Sequence, residues 1–121
     1  MSQPIVFDSS ALVELFNAHA IALSYWNRAD QGTLSVVFPA SAIAEANLTL
    51  RAEYSAWSAL LWPESVNVAP LDASSAIDVG LHHHDGLVTS HVAHEARAIR
   101  GIVLTSEPKR YSGAAVPVLV L

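Results

Sequence analysis

Hydrophobic positions along this chain follow two alternating rhythms. Short β-rich runs lie at Ile5-Val6-Phe7, Leu34-Ser35-Val36-Val37-Phe38, Val66-Asn67-Val68, Ile102-Val103-Leu104 and residues 116–121. Such runs are apolar nearly throughout rather than at every second position, as strands buried on both faces of a parallel sheet must be. Between them the apolar spacing lengthens to three and four. Leu12, Leu15, Phe16 and His19 open a first helix, with Ser9 or Ser10 placed to cap it. Pro39 suits a first helical turn, after which Ile43, Asn47, Leu50, Tyr54 and Trp57 recur at helical steps. Asp72 is placed to cap a helix running toward His83, and Val88, Val92, Glu95/Ala96 and Ile99 mark a last helix closing near Gly101. Strand–helix alternation of this kind predicts a three-layer α/β domain, residues 1–121, on a mainly parallel sheet of about five strands.

Composition narrows the function classes. The 121 residues are 52% hydrophobic and 14% charged, which excludes a disordered chain. No uncharged apolar run nears the roughly 18 residues of a membrane span. The opening Met1-Ser2-Gln3-Pro4 lacks the positive charge of a secretory leader. Cysteine is absent, which excludes disulfide scaffolds, zinc ribbons and thiol nucleophiles and fits a cytoplasmic location. Six Lys and Arg against eleven Asp and Glu give a net charge of −5, which argues against broad electrostatic capture of nucleic acid. With five glycines there is no phosphate-binding loop, dinucleotide fingerprint or nucleophile elbow. Ser10 stands where a haloacid-dehalogenase-like phosphatase needs its second Asp.

In open parallel sheets, sites form beyond the carboxyl ends of the strands, where turns from distant segments meet. Asp8 directly follows the first strand, Glu45 lies in the helix after the second, and Thr105, Ser106 and Glu107 follow the fourth. Carboxylates without Cys or paired His are the shell that Mg²⁺ or Mn²⁺ takes, and such an ion can activate water against a phosphodiester. Each residue also has a plainer reading. Asp8 can cap the helix that starts Ser-Ser-Ala-Leu, Glu45 can be an exposed helical acid, and Glu107 can be a loop residue.

Three ordered segments resemble the PIN-domain family. The first is Ile5-Val6-Phe7-Asp8-Ser9-Ser10-Ala11-Leu12; the second is Phe38-Pro39-Ala40-Ser41-Ala42-Ile43-Ala44-Glu45-Ala46. The third runs from His91-Val92-Ala93-His94-Glu95 to Thr105-Ser106-Glu107-Pro108-Lys109-Arg110-Tyr111. Within that family the length is similar to that of the VapC-like ribonucleases of type II toxin–antitoxin pairs. The resemblance implies Asp8, Glu45 and Glu107 as catalytic ligands of Mg²⁺ or Mn²⁺, with Ser9 and Thr105 supporting. It also implies an RNA substrate, a homodimer and an inhibitory antitoxin. The family's acid at the start of the last long helix has no counterpart: counting back lands among Thr89, Ser90 and His91. Asp85, four residues earlier, and His91 are the nearest substitutes. That departure supports the alternative of a PIN-like domain that no longer cleaves and instead binds RNA or protein.

Four of the six basic residues, Arg97, Arg100, Lys109 and Arg110, flank the Glu107 turn and are candidates for gripping RNA phosphates. The run His82-His83-His84 precedes Gly86 and reads as a helix end, where imidazoles suit the negative dipole end. His91 and Glu95, one turn apart, can also pair as a part-buried helical couple. Tyr54, Trp57 and Leu61 share a stripe suited to a dimer or antitoxin contact.

Overall fold

A computed structural model describes residues 3–121, so Met1 and Ser2 of the opening tetrapeptide lie outside it. Five strands form one sheet: β1 (Ile5–Phe7), β2 (Val36–Pro39), β3 (Val66–Ala69), β4 (Ile102–Thr105) and β5 (Val118–Val120). Their order is β3-β2-β1-β4-β5, and every pairing is parallel. Six helices flank the sheet: α1 (Ser9–Phe16), α2 (Ala20–Asp30), α3 (Ala40–Leu50), α4 (Tyr54–Leu61), α5 (Ala73–Leu81) and α6 (Leu87–Ile99). A short 3₁₀ turn, Pro108–Tyr111, joins β4 to the segment before β5. The α/β class and the five-strand parallel sheet are those expected from the hydrophobic rhythm.

All of β1 and β2, and all but the first residue of β4, are buried, which explains their continuous apolar runs. The rings of Phe7 and Phe38 meet at 5.2 Å between centroids, tying β1 to β2 inside the core. From β1 the chain builds β2 and β3 on one side and then returns to place β4 and β5 on the other. The topological switch point therefore lies between β1 and β4, where crevices open at the carboxyl ends of an open parallel sheet. Asp8 leaves β1 there, its amide donating to the Leu104 carbonyl at 3.2 Å.

Of the two cap readings for α1, the Asp8 one holds, its side chain accepting from the Ala11 amide, while Ser9 and Ser10 lie within the helix rather than capping it. The helices differ from expectation in two further places. The first helix stops at Phe16 because Ala18 turns left-handed (φ 57°); His19 then caps a separate α2. The long helix expected from Ile43 to Trp57 is two, broken at Arg51 in the left-handed region (φ 50°). Asn47 holds that corner: its Oδ1 accepts from the Ala52 amide at 2.8 Å and the Trp57 indole at 3.0 Å. The aromatic stripe lies wholly on α4, beyond the break, but does not share one face: Trp57 is buried edge-on against Phe16 while Tyr54 faces solvent. As expected, α5 ends just before His82, and Asp72 caps its start. Asp85 and Gly86, both at positive φ, turn the chain into α6. Among the described residues no helix is long and apolar enough to cross a membrane.

Candidate active site

Asp8 is 3% exposed, and both of its carboxylate oxygens are engaged. Its Oδ1 accepts from the Ala11 amide at 2.9 Å and from the Ser10 hydroxyl at 2.7 Å. Its Oδ2 accepts from the Tyr111 hydroxyl at 3.0 Å, across 103 residues of sequence. Burial, reinforced by the nearby Asp8 carboxylate, pushes the Tyr111 phenol far above its ordinary range, so it serves as a fixed donor.

The proton positions around Ser10 follow from its inventory of one hydrogen and two lone pairs. Its hydrogen goes to Asp8. The Ser106 amide donates to its oxygen at 2.9 Å, so the Thr105 hydroxyl, 3.2 Å away, must donate as well. Thr105 in turn accepts from the Glu107 amide at 2.9 Å. One hydroxyl chain thus locks the end of β1 to the turn after β4, across the switch point.

Glu45 reaches the same place from α3. Its Oε1 accepts from the Ser9 hydroxyl, and Ser9, Ser10, Glu45, Glu107 and Arg110 line one hollow. An adjoining hollow shares Glu45 and Arg110 and adds Asp85 and Thr89. Asp8 is joined through Ser10 and Thr105 to the backbone of Glu107, while Glu45, bonded separately to Ser9, shares a hollow with Glu107. The three acids, spanning 99 residues of sequence, thus lie at the carboxyl end of the sheet, with Asp85 in the adjoining hollow.

Arg110 stands between the two glutamates. Its Nε lies 2.5 Å from Glu107 Oε2 and its Nη1 3.6 Å from Glu45 Oε1. Oxygen donors of this kind suit a hard divalent ion. As arranged, however, no three His, Asp or Glu side chains among the described residues are grouped to hold one. Asp8 accepts two donors on Oδ1 and one on Oδ2, and the Arg110 guanidinium lies between Glu45 and Glu107. The cation between the two glutamates is Arg110, and an Mg²⁺ or Mn²⁺ held by both would have to take its place.

The other expected site residues lie elsewhere or on the margin. His91 is wholly buried on α6, with Nδ1 2.6 Å from the Ser41 hydroxyl. Its Nε2 faces Glu95 Oε2 at 3.3 Å, off the line of a hydrogen bond. Burial pulls the His91 imidazole below its ordinary value, with Glu95 opposing. It lines neither hollow of the cleft; Thr89, one helical position from Ser90, does. Arg97 donates to the Ala114 carbonyl at 2.8 Å and borders a different cavity with His82, His83, His84 and His94. Arg100 closes α6 in the left-handed region, and Lys109 is exposed beside Arg110. Of the four basic residues expected to flank the acids, only Arg110 lines the cleft.

Sequence reasoning missed Ser10 as the hub and Tyr111 as the partner of Asp8. A tyrosine three residues after Pro108, in an otherwise polar turn, was the available signal for a buried hydroxyl.

No protein-family model and no curated protein matches this chain by sequence. Solved structures do match. FitAcB from Neisseria gonorrhoeae superposes with a TM-score of 0.67 at 14% identity, covering 95% of this chain and 96% of that one. VapBC2 from Rickettsia felis, bound to a DNA fragment from their promoter, gives 0.70 at 12% identity, with 98% of each chain covered. FitAB bound to an IR36 DNA fragment gives 0.61 at 14% identity, covering 96% of this chain and 94% of that one. Over nearly its whole length, this chain has the fold shared by those structures.

Proposed function

We propose that this protein is a ribonuclease of the VapC-like toxin type, hydrolysing RNA phosphodiesters in the cleft between Asp8, Glu45 and Glu107 with Mg²⁺ or Mn²⁺. The observation that carries the reading is that Asp8, Glu45 and Glu107, from three distant segments, all lie at the carboxyl end of the sheet by the topological switch point, Glu45 and Glu107 lining one hollow and Asp8 buried beneath Ser10. Asp8 also caps α1, but capping gives no reason for Glu45 and Glu107 to be placed beside it, where like charges repel. A divalent ion, when bound, would supply a Lewis acid and an activated water. The chain's own residues prepare the place. Ser10, Ala11 and Tyr111 fix both oxygens of Asp8, Ser9 orients Glu45, and Thr105 sets the Glu107 turn. Asp85 lies where a fourth acid can approach from the flank. Likeness over nearly the whole chain to FitAcB, FitAB and VapBC2 supports a toxin–antitoxin setting with a cognate antitoxin; a homodimer belongs to the same proposal.

Purified protein incubated with structured RNA in Mg²⁺ or Mn²⁺ tests this, against EDTA and an Asp8→Asn control. Cleavage that both controls abolish is the expected result. Cleavage surviving either one would sink the proposal.

One observation favours a second reading. Arg110 neutralises part of the cleft, and no acid of α6 enters it, as in a domain that keeps the scaffold but binds RNA or protein without cutting. RNA retention without cleavage in any metal would favour that reading.

A further inference from the structure

Two part-exposed carboxylates facing one another across a cleft need a counter-charge, and this chain supplies its own. Arg110 is 40% exposed, Glu45 37% and Glu107 49%, so the guanidinium sits at the mouth rather than in the core. It is carried on the 3₁₀ turn directly after Glu107, and its neighbour Tyr111 anchors that turn through Asp8. The anchor fixes the backbone, and the Arg110 side chain beyond it is part-exposed at the cleft mouth, in contact with Glu107 and Glu45. A divalent ion gripping both Glu45 and Glu107 would have to occupy the space the guanidinium fills. Two cations at such a separation repel strongly at a protein surface.

We infer that Arg110 is an intramolecular competitor for the divalent cation: the guanidinium and the metal exclude one another, and metal binds the chain only as Arg110 leaves the glutamates. This rests on reading the cleft as the site of phosphodiester chemistry, and it concerns how that site is held closed. Aspartate 8 plays no part in the exclusion, since its donors are Ser10, Ala11 and Tyr111. The competition is between one cation and another for Glu45 and Glu107.

The test is binding of Mn²⁺ alone, without RNA, followed by electron paramagnetic resonance on the full chain. Arg110→Gln removes the charge and is expected to bind Mn²⁺ about five- to tenfold tighter than the native protein, the scale of two part-exposed ion pairs given up. Arg110→Lys keeps the charge and is expected to stay within about twofold of native. Adding Glu45→Gln to Arg110→Gln should cancel the gain. Far-UV circular dichroism establishes that each variant folds. Should Arg110→Gln fail to fold, Mg²⁺ titrated into the native chain reads the same competition through the Arg110 Nε–H nuclear resonance. That resonance is expected to move with the binding midpoint. Equal Mn²⁺ affinity in native and Arg110→Gln proteins, or an Arg110 resonance unmoved at saturating Mg²⁺, overturns the inference. Either outcome leaves the RNA cleavage result standing on its own, so the two failures are distinguishable.

Discussion

Replacing Tyr111 by phenylalanine removes one oxygen atom and keeps the ring in its buried seat. The lost hydroxyl is the sole donor to Asp8 Oδ2, because Ser10 and Ala11 both serve Oδ1. Asp8 is 3% and Tyr111 5% exposed, so water cannot readily take the empty place. A hydrogen bond to a charged group contributes about 1.5–3 kcal/mol, and a buried acceptor left without one costs on that order. We therefore expect Tyr111→Phe to lose about 2 kcal/mol of stability in urea, with an unchanged m-value. For a domain of this size the thermal midpoint falls by roughly 6–10 °C. A double-mutant cycle isolates the pair: in an Asp8→Asn background the same substitution should cost about 1 kcal/mol less. A loss below about 0.5 kcal/mol, or the same loss in both backgrounds, would refute the assignment of Tyr111 as the anchor of Asp8.

Asn47→Ala should cost about 2–3 kcal/mol in the same assay, because it leaves the Trp57 indole and the Ala52 amide without their acceptor. Arg51→Gly should instead stabilise by about 0.5–1 kcal/mol, since relief of the left-handed strain exceeds the added chain entropy. His91 gives a pH signature with a definite sign. Its folded value lies below its ordinary 6.5 through burial, with Glu95 opposing and His94 adding to the fall. The unfolded chain therefore takes up a proton that the folded one refuses. Stability is full above about pH 6.5 and falls at up to about 1.4 kcal/mol per pH unit as pH drops toward the folded value. Urea midpoints measured from about pH 7.5 down to 5 should show that slope flattened in His91→Gln; parallel slopes would refute it.

The layers and the sheet were legible because burial on both faces leaves a signature no other element shares: Val36, Val37 and Phe38 cannot sit on a wet surface together. Helix breaks were not legible. Arg51 and Ala18 adopt left-handed turns that a sequence marks only when glycine occupies them. Asp8 illustrates how two readings coincide. It caps α1 and also belongs to the acidic network, so a good cap sequence did not argue against a site. Glu45 and Glu107 could be placed at the carboxyl ends of strands from order alone. Their partner could not. Arg110 looked like a phosphate contact because its charge is visible in sequence, whereas its approach to two glutamates depends on a 3₁₀ turn that no periodicity encodes. His91 was drawn toward the site by its number along α6, but helical geometry turns it inward to Ser41 and Glu95, while Thr89 lines the cleft.

The central claim is that this cleft directs water onto an RNA phosphodiester, and the origin of the new oxygen in the product tests it most directly. RNA cleaved by the native protein in Mn²⁺ and ¹⁸O-labelled water should carry one labelled oxygen in the terminal phosphate. Glu45→Gln, folded by circular dichroism, should leave the RNA intact. Product ends without label, or labelled product from Glu45→Gln at the native rate, would contradict the account.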